Sequence, residues 1–398
     1  MKLPDMAAIP HMETIHKPKR RVLSWSGFFV FLFLYRCLCS WFAEKVILRL
    51  TFVGDTWSYQ HGVYPEEYSR ISLNASTLFD VASSQLSTVV TAKIGGMLNK
   101  IFGGSPVLID IGFQTICFVG LVYLLNSVEG RSRKWLALLV MLPSFSIWTS
   151  IASKEAIVAG DLAILSGFLL RMYYGKPKTV FLPLVALATL FLFKPHYLIA
   201  LAFGVFGTWL CYHVRQKTFF ALVGGMFSIS LLYLVRDKVD ALSFGVQRLF
   251  LVTFQGGSSR SEAFFVDKYD VFLKAPLGMF QSFIGPSLSD ITLSPLNMIT
   301  FVESMVLLAL LVLLFTSRIK RIPAYNFVLG WFVMFWIVFP NYPFGIMNVG
   351  TAIRYRSGWI ILIFAIIAGL MTHSAYPSRS REARVSGNRV RKTPTAAK

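Results

Sequence analysis

The chain has 398 residues, of which 55% are hydrophobic and 15% charged, too apolar a balance for a water-soluble domain of this size. Its net charge of +20 does not mark a nucleic-acid binder, because it is not spread over the chain. The two tails (1–21 and 374–398) and four short segments (127–134, 171–178, 213–217 and 316–322) hold 23 basic residues against 4 acidic.

Lys and Arg resist translocation, so these six segments are predicted to be cytoplasmic. Between them the apolar residues fall in runs of roughly 15 to 22, the length that crosses a bilayer. The expected architecture is an all-α polytopic bundle over 22–373, flanked by a basic N-terminal tail (1–21) and a basic, disordered tail (374–398) that faces lipid. About ten spans are drawn, at 22–43, 107–126, 135–152, 156–173, 179–193, 197–213, 218–235, 296–315, 326–340 and 357–373. An even count returns the chain to its starting side, in accord with two basic tails. Segments 44–106, 236–295 and 341–356 are then extracytoplasmic. The basic cluster Lys17–Arg21 precedes an apolar run without a small-residue cleavage site, so the first span reads as an anchor rather than a cleaved signal. Cys37, Cys39, Cys117 and Cys211 all lie in apolar runs and read as small hydrophobes, with no disulfide or metal framework.

After the first span comes FVGDTWSYQHGVY, with Asp55 followed by Trp57, Tyr59, His61 and Tyr64. A carboxylate beside aromatic rings suits a sugar, because the rings stack on its faces and the carboxylate accepts a hydroxyl proton. A helix cap by Asp55 is the alternative. Residues 78–102 alternate apolar and polar positions at helical spacing, which predicts an amphipathic helix along the membrane surface.

At 143–155 the string PSFSIWTSIASKE closes a predicted span with Lys154 and Glu155. Asp161 follows seven residues on, on nearly the same helix face and about 10 Å deeper. A carboxylate at that depth implies a hydrated pocket or a partner. The turn FKPHY places Lys194 and His196 between two spans on the outer side, where they can hold a phosphate or snorkel to headgroups.

The stretch 254–262 (FQGGSSRSE) reads as a flexible loop. Glu303 lies inside a span and is either a site residue or the partner of a buried cation. In NVGTAIRYRSG, Arg354 and Arg356 stand just before the last span on the side where the charge rule gives cations no purpose; a guanidinium fork suits a phosphate.

The order of Asp55, the Trp-Thr-Ser…Lys-Glu span end, the segment APLGMFQSFIGPSLSDITLSP (275–295), Glu303 and Asn-Val-Gly-Thr…Arg-Tyr-Arg resembles bacterial GT-C glycosyltransferases and Wzy-type polysaccharide polymerases. The resemblance covers residues 54–360. It implies an inner-membrane protein whose partners are membrane lipid, a polyprenyl-linked sugar and other polysaccharide assembly proteins, and that works on the outer face in exopolysaccharide or surface polysaccharide synthesis. By this similarity Asp55 is the base, although the Asp-Asp or Glu-X-Asp form of well-known members is absent. Glu155 and Glu303 are further catalytic candidates. Lys154, Lys194, His196, Arg354, Arg356, Trp57 and Tyr59 are candidates for holding the substrate and its lipid phosphate. No cofactor or resident metal is expected, and a divalent cation stays open. The alternatives are a flippase or transporter for a lipid-linked sugar, and a non-catalytic subunit of an assembly complex. A transporter is expected to show related halves and interrupted helices, and no repeat between the halves is visible.

Overall fold

A computed structural model describes residues 25–48, 55–64, 86–174, 179–252, 259–291, 295–318 and 322–373. Both tails and residues 78–85 of the predicted surface helix lie outside them. The described residues are helices and connecting turns, with one isolated antiparallel bridge between Ser259 and Asn348.

Six helices are long and apolar enough to cross a membrane. They are α1 (Trp25–Phe42, prolonged by a π-helical turn Ala43–Ile47), α4 (Pro106–Ser127), α7 (Lys154–Tyr173), α10 (Lys217–Leu234), α15 (Pro295–Arg318) and α18 (Val349–His373). Two short elements, α2 (Thr56–His61) and α3 (Leu86–Ile101), separate α1 from α4. The helices α8 (Phe181–Phe193), α9 (Tyr197–His213) and α16 (Ala324–Val338) are apolar but shorter. The 13 residues of α8 rise only about 20 Å, against roughly 30 Å of hydrocarbon. The segment after α10 holds α11 (Arg236–Val252), α12 (Asp270–Leu273), α13 (Ala275–Ile284) and α14 (Leu288–Ile291). The short α17 (Tyr342–Met347) leads into α18.

The core is built on α7, which packs against α4, α8 and α18. Fourteen of its twenty residues are buried. Small residues let it approach α4 closely: a Cβ on Gly120 would collide with the carbonyl of Gly160. Helices at the rim turn apolar side chains outward instead, as Val30, Phe31, Leu34 and Leu38 of α1 do, each half exposed or more. Apolar surfaces of this kind belong in lipid, and the architecture is that of a polytopic membrane bundle.

Three expectations change. The span drawn at 135–152 is not one helix but α5 (Gly130–Leu139), a break, α6 (Pro143–Trp148) and an unwound stretch 149–153. Pro143 has no N–H and disfavours helix at Leu142, so α5 cannot run on into α6. The last helix begins at Val349 rather than 357, so Arg354 and Arg356 sit within it. Of the expected loop 254–262, residues 254–258 lie outside the described residues, while Ser259 and Arg260 are pinned. The Arg260 N–H donates to Met347 O at 2.9 Å, and its guanidinium donates to Ile346 O and Asp290 Oδ2, each at 2.7 Å.

Backbone groups freed by the break are taken up by side chains from other helices, as a low-dielectric surrounding requires. Tyr35 OH donates to Met141 O at 2.9 Å, Arg36 Nη2 to Thr149 O at 2.7 Å and Ser40 Oγ to Ser150 O at 2.7 Å. The Ala152 N–H donates to Asp110 Oδ1 at 2.8 Å, and the Ser144 N–H to Glu303 Oε2 at 2.9 Å.

Candidate functional site

Asp55 stands at the N-cap position of α2, but its side chain makes no capping bond. It accepts a hydrogen bond from Tyr59 OH at 3.1 Å and faces Arg354 Nη2 at 3.9 Å, with its side chain 56% exposed. The capping alternative therefore fails, and the carboxylate is left open to solvent within reach of a cation. Helix α2 is held against α3 by glycines, since a Cβ on Gly95 would overlap the Tyr59 carbonyl. Gly62 ends α2 in the left-handed conformation, φ 68°, which favours glycine.

Lys154 and Glu155 open α7 behind the cap Ser153, whose Oγ accepts the Ala156 N–H at 3.2 Å. Neighbouring helix residues point about 100° apart, so the two diverge. Lys154 Nζ donates to Thr88 Oγ1 of α3 at 2.6 Å. Glu155 turns to α18 and accepts Arg354 Nε at 2.9 Å, with its side chain 3% exposed. Lys194, from the α8–α9 turn, lies over the ring of Tyr355, 4.1 Å from its centroid. It thereby stands beside the turn of α18 that carries Arg354.

Asp55, Tyr59, Lys154, Glu155, Lys194 and Arg354 thus converge from four parts of the chain on one end of the bundle. No family model, curated protein or solved structure matches this chain. The cluster combines one exposed carboxylate with three cations, of which, among the described residues, Arg354 alone has a carboxylate within 4 Å.

Tyr59 adds a fixed donor. Burial, and then the charge of Asp55, push its phenol well above the ordinary range, so it stays protonated and keeps its bond to the carboxylate. His196 behaves differently from expectation. Burial, seconded by the charge of Lys194, pushes its pKa down to about 3, so its ring is neutral. It packs edge-on against Tyr197, 4.5 Å between centroids. A neutral imidazole supplies no charge for a phosphate.

Other expected residues lie apart. Arg356 is two positions from Arg354, about 200° around the helix, and is fully buried on the opposite face. Its Nη1 donates to Phe283 O at 2.8 Å, to Ile284 O at 3.1 Å and to Ser304 Oγ at 2.7 Å, which closes the C-terminal end of α13. Glu303 takes both the N–H and the hydroxyl of Ser144, so it caps α6. Trp57 is 59% exposed and stacks on His61, 4.4 Å between centroids. Asp161 is buried about two turns deeper in α7 than Lys154, and its Oδ2 has no hydrogen-bond partner among the described residues. An apolar cavity of about 130 Å³ between α7, α9, α16 and α18 has no charged group in its lining. No cluster of metal-ligating side chains occurs among the described residues.

Sequence reasoning passed over Thr88, Tyr355 and the polar layer under α2. In that layer Gln60 Nε2 donates to Glu44 Oε2 at 3.1 Å and to Asp110 Oδ1 at 3.0 Å, while Asn99 Nδ2 donates to Gln60 O at 2.8 Å. Asp110 and Arg36 carried a signal, since each is a charge inside an apolar run. Thr88 and Tyr355 carried none.

Proposed function

We propose that this chain transfers a glycosyl unit at the extracytoplasmic face of the inner membrane, from a polyprenyl-phosphate- or diphosphate-linked sugar or repeat unit, in surface polysaccharide assembly. The observation that carries the reading is the exposed Asp55 carboxylate 3.9 Å from Arg354, with Lys154 and Lys194 around the same end of the bundle.

In this reading Asp55 accepts the proton of an acceptor hydroxyl while that oxygen attacks the anomeric carbon. The bond from that carbon to the phosphate oxygen breaks, and the lipid phosphate leaves with the electron pair. Lys154, Lys194 and Arg354 stabilise the charge that gathers on it, in a site partly removed from water. Glu155 does not act as an acid or base here: it is buried and holds the Arg354 fork in place. Tyr59 fixes the orientation of Asp55. The test is turnover by the purified protein in liposomes that contain polyprenyl-diphosphate-linked repeat unit extracted from the producing cells. The reading requires release of polyprenyl diphosphate by the wild type and its loss in Asp55→Asn.

One observation favours a second reading, movement of the lipid-linked sugar across the membrane. The break over 140–153, with its backbone groups bonded by the buried Arg36 and Asp110 and the half-buried Glu303, is the kind of interrupted helix that transporters use. Transfer without turnover in the same liposomes would favour it.

A further inference from the structure

Helix α11 is amphipathic the wrong way round for a helix in water. Its buried positions, 240, 243, 247 and 250, form one face, and three of the four are polar: Asp240, Ser243 and Gln247. Each polar group is used. Asp240 Oδ1 accepts the Tyr269 N–H at 2.9 Å, and Ser243 Oγ donates to Val239 O at 2.9 Å. Gln247 Oε1 accepts the N–H groups of Phe264 and Phe265 at 2.8 and 2.7 Å, and its Nε2 donates to Phe265 O at 2.7 Å.

The opposite face is apolar and bare. Leu242, Leu249 and Val252 are 55%, 42% and 66% exposed. A shallow open depression runs along it, lined by Lys238, Ala241, Leu242, Gly245, Val246 and Leu249. A Cβ on Gly245 would meet nothing within 4 Å. Lys238 lies on the stripe at its N-terminal end and Arg248 at its edge, where long stems can lie along apolar surface with the charge toward water.

We propose that this stripe is seated in the bilayer, with a lipid surface as its partner, so that α11 lies along the leaflet that the end of α10 reaches. The continuity of the surface argues for lipid rather than protein. Helix α10 presents Leu231, Tyr233 and Leu234, 48% to 74% exposed, and Val235 alone separates it from α11. The lipid-facing surface of a span therefore runs on into the stripe. The charges of residues 236–291, six basic and six acidic, cancel, so the attraction is that of buried apolar area rather than of headgroup charge.

The seat has a consequence for the charge cluster. The inward face of α11 grips residues 264–269. Phe265 in turn packs edge-on against Tyr342, 6.0 Å between centroids, and Tyr342 opens α17, which leads into α18 and Arg354. The depth of α11 in the leaflet thus sets the level at which Arg354 meets the membrane plane. The inference rests on the membrane fold and is independent of glycosyl transfer.

The test is spin-label accessibility on the full chain in phosphatidylcholine–phosphatidylglycerol vesicles. Single substitutions Leu242→Cys and Leu249→Cys are labelled, with Leu34→Cys on α1 as the lipid reference and Lys268→Cys as the water reference. The signal of labelled wild-type chain is subtracted. Labels at 242 and 249 should collide readily with oxygen and poorly with a water-soluble nickel chelate, as at 34 and opposite to 268. Ready collision with the nickel chelate would show a water-exposed face and overturn the proposal. Shielding from both reagents would show a protein cover, a second copy or another partner, and would overturn it equally.

Discussion

Arg354 Nε donates to Glu155 Oε2 at 2.9 Å, and Arg354 Nη2 stands 3.9 Å from Asp55, so one guanidinium joins a buried carboxylate to an exposed one across three helices. Removing one member of a buried ion pair leaves the other unpaired and costs about 3–5 kcal/mol; the 17% exposure of Arg354 argues for the lower end. Glu155→Gln and Arg354→Met should each lower the melting temperature in detergent, and the double variant should melt above the sum of the two losses. Additive losses would show that the pair does not couple.

The close contact of α2 on α3 makes a second prediction. Gly95→Ala places a methyl group against the Tyr59 carbonyl, whereas a Cβ on Gly96 meets Gly62 Cα at an ordinary 3.4 Å. Gly95→Ala should displace α2, and with it Asp55, and lower the activity well below that of Gly96→Ala at equal protein levels. Equal activities of the two variants would separate the position of α2 from function.

Asp110 tests the account of the broken helix. Asp110→Ala abandons the Ala152 N–H and one donor of Gln60, both buried, at about 1–3 kcal/mol for each group left unpaired. Asp110→Asn keeps an acceptor oxygen and should melt between Asp110→Ala and wild type. An alanine variant as stable as wild type would mean that water replaces the carboxylate there.

The segment 259–291 should loosen in acid. Asp270 is held at about 2 by Lys274, then by the N–H groups of Asp267 and Val266. Burial alone would raise Asp290, but the bonds from Arg260 and Ser287 outweigh it and hold it low. Both folded values lie below the unfolded value of about 3.9, so their stabilisation is complete above roughly pH 5 and drains away as pH falls toward 2. Protection factors over 259–291, hydrogen exchange corrected for its intrinsic pH dependence, should fall across that range, and Asp270→Asn should flatten the change. Protection factors that stay constant through that window would remove these carboxylates from the account.

The membrane class and most of the helices were legible because hydropathy and basic punctuation are local properties of the chain. The interrupted segment was not, since its run of apolar residues is long enough to cross and only Pro143 and the Ser/Thr cluster at 149–153 hint at the break. The convergence of Asp55, Lys154, Lys194 and Arg354 followed from a topological argument that put them on one side. Their separation from Arg356 and Glu303 depended on helix phase. Two residues along α18 reverse the face, and Val349 as the true start of that helix was hidden by the polar NVGTAIRYR string. His196 was paired with Lys194 as a candidate for holding a phosphate, and no local signal told that burial keeps its ring neutral.

The central claim is that Asp55 and Arg354 act together on a lipid-linked sugar at the extracytoplasmic face. The most direct measurement is mass spectrometry of lipid-linked sugars in cells producing wild type, Asp55→Asn or Arg354→Lys, with the side of the membrane read by a periodate reagent that cannot cross it. The substitution of lysine keeps the charge and loses the planar fork. The account predicts normal insertion of both variants, build-up of the lipid-linked precursor on the outer face and loss of elongated product. Precursor retained on the cytoplasmic side would point to transport, and normal product from both variants at wild-type protein levels would contradict the claim.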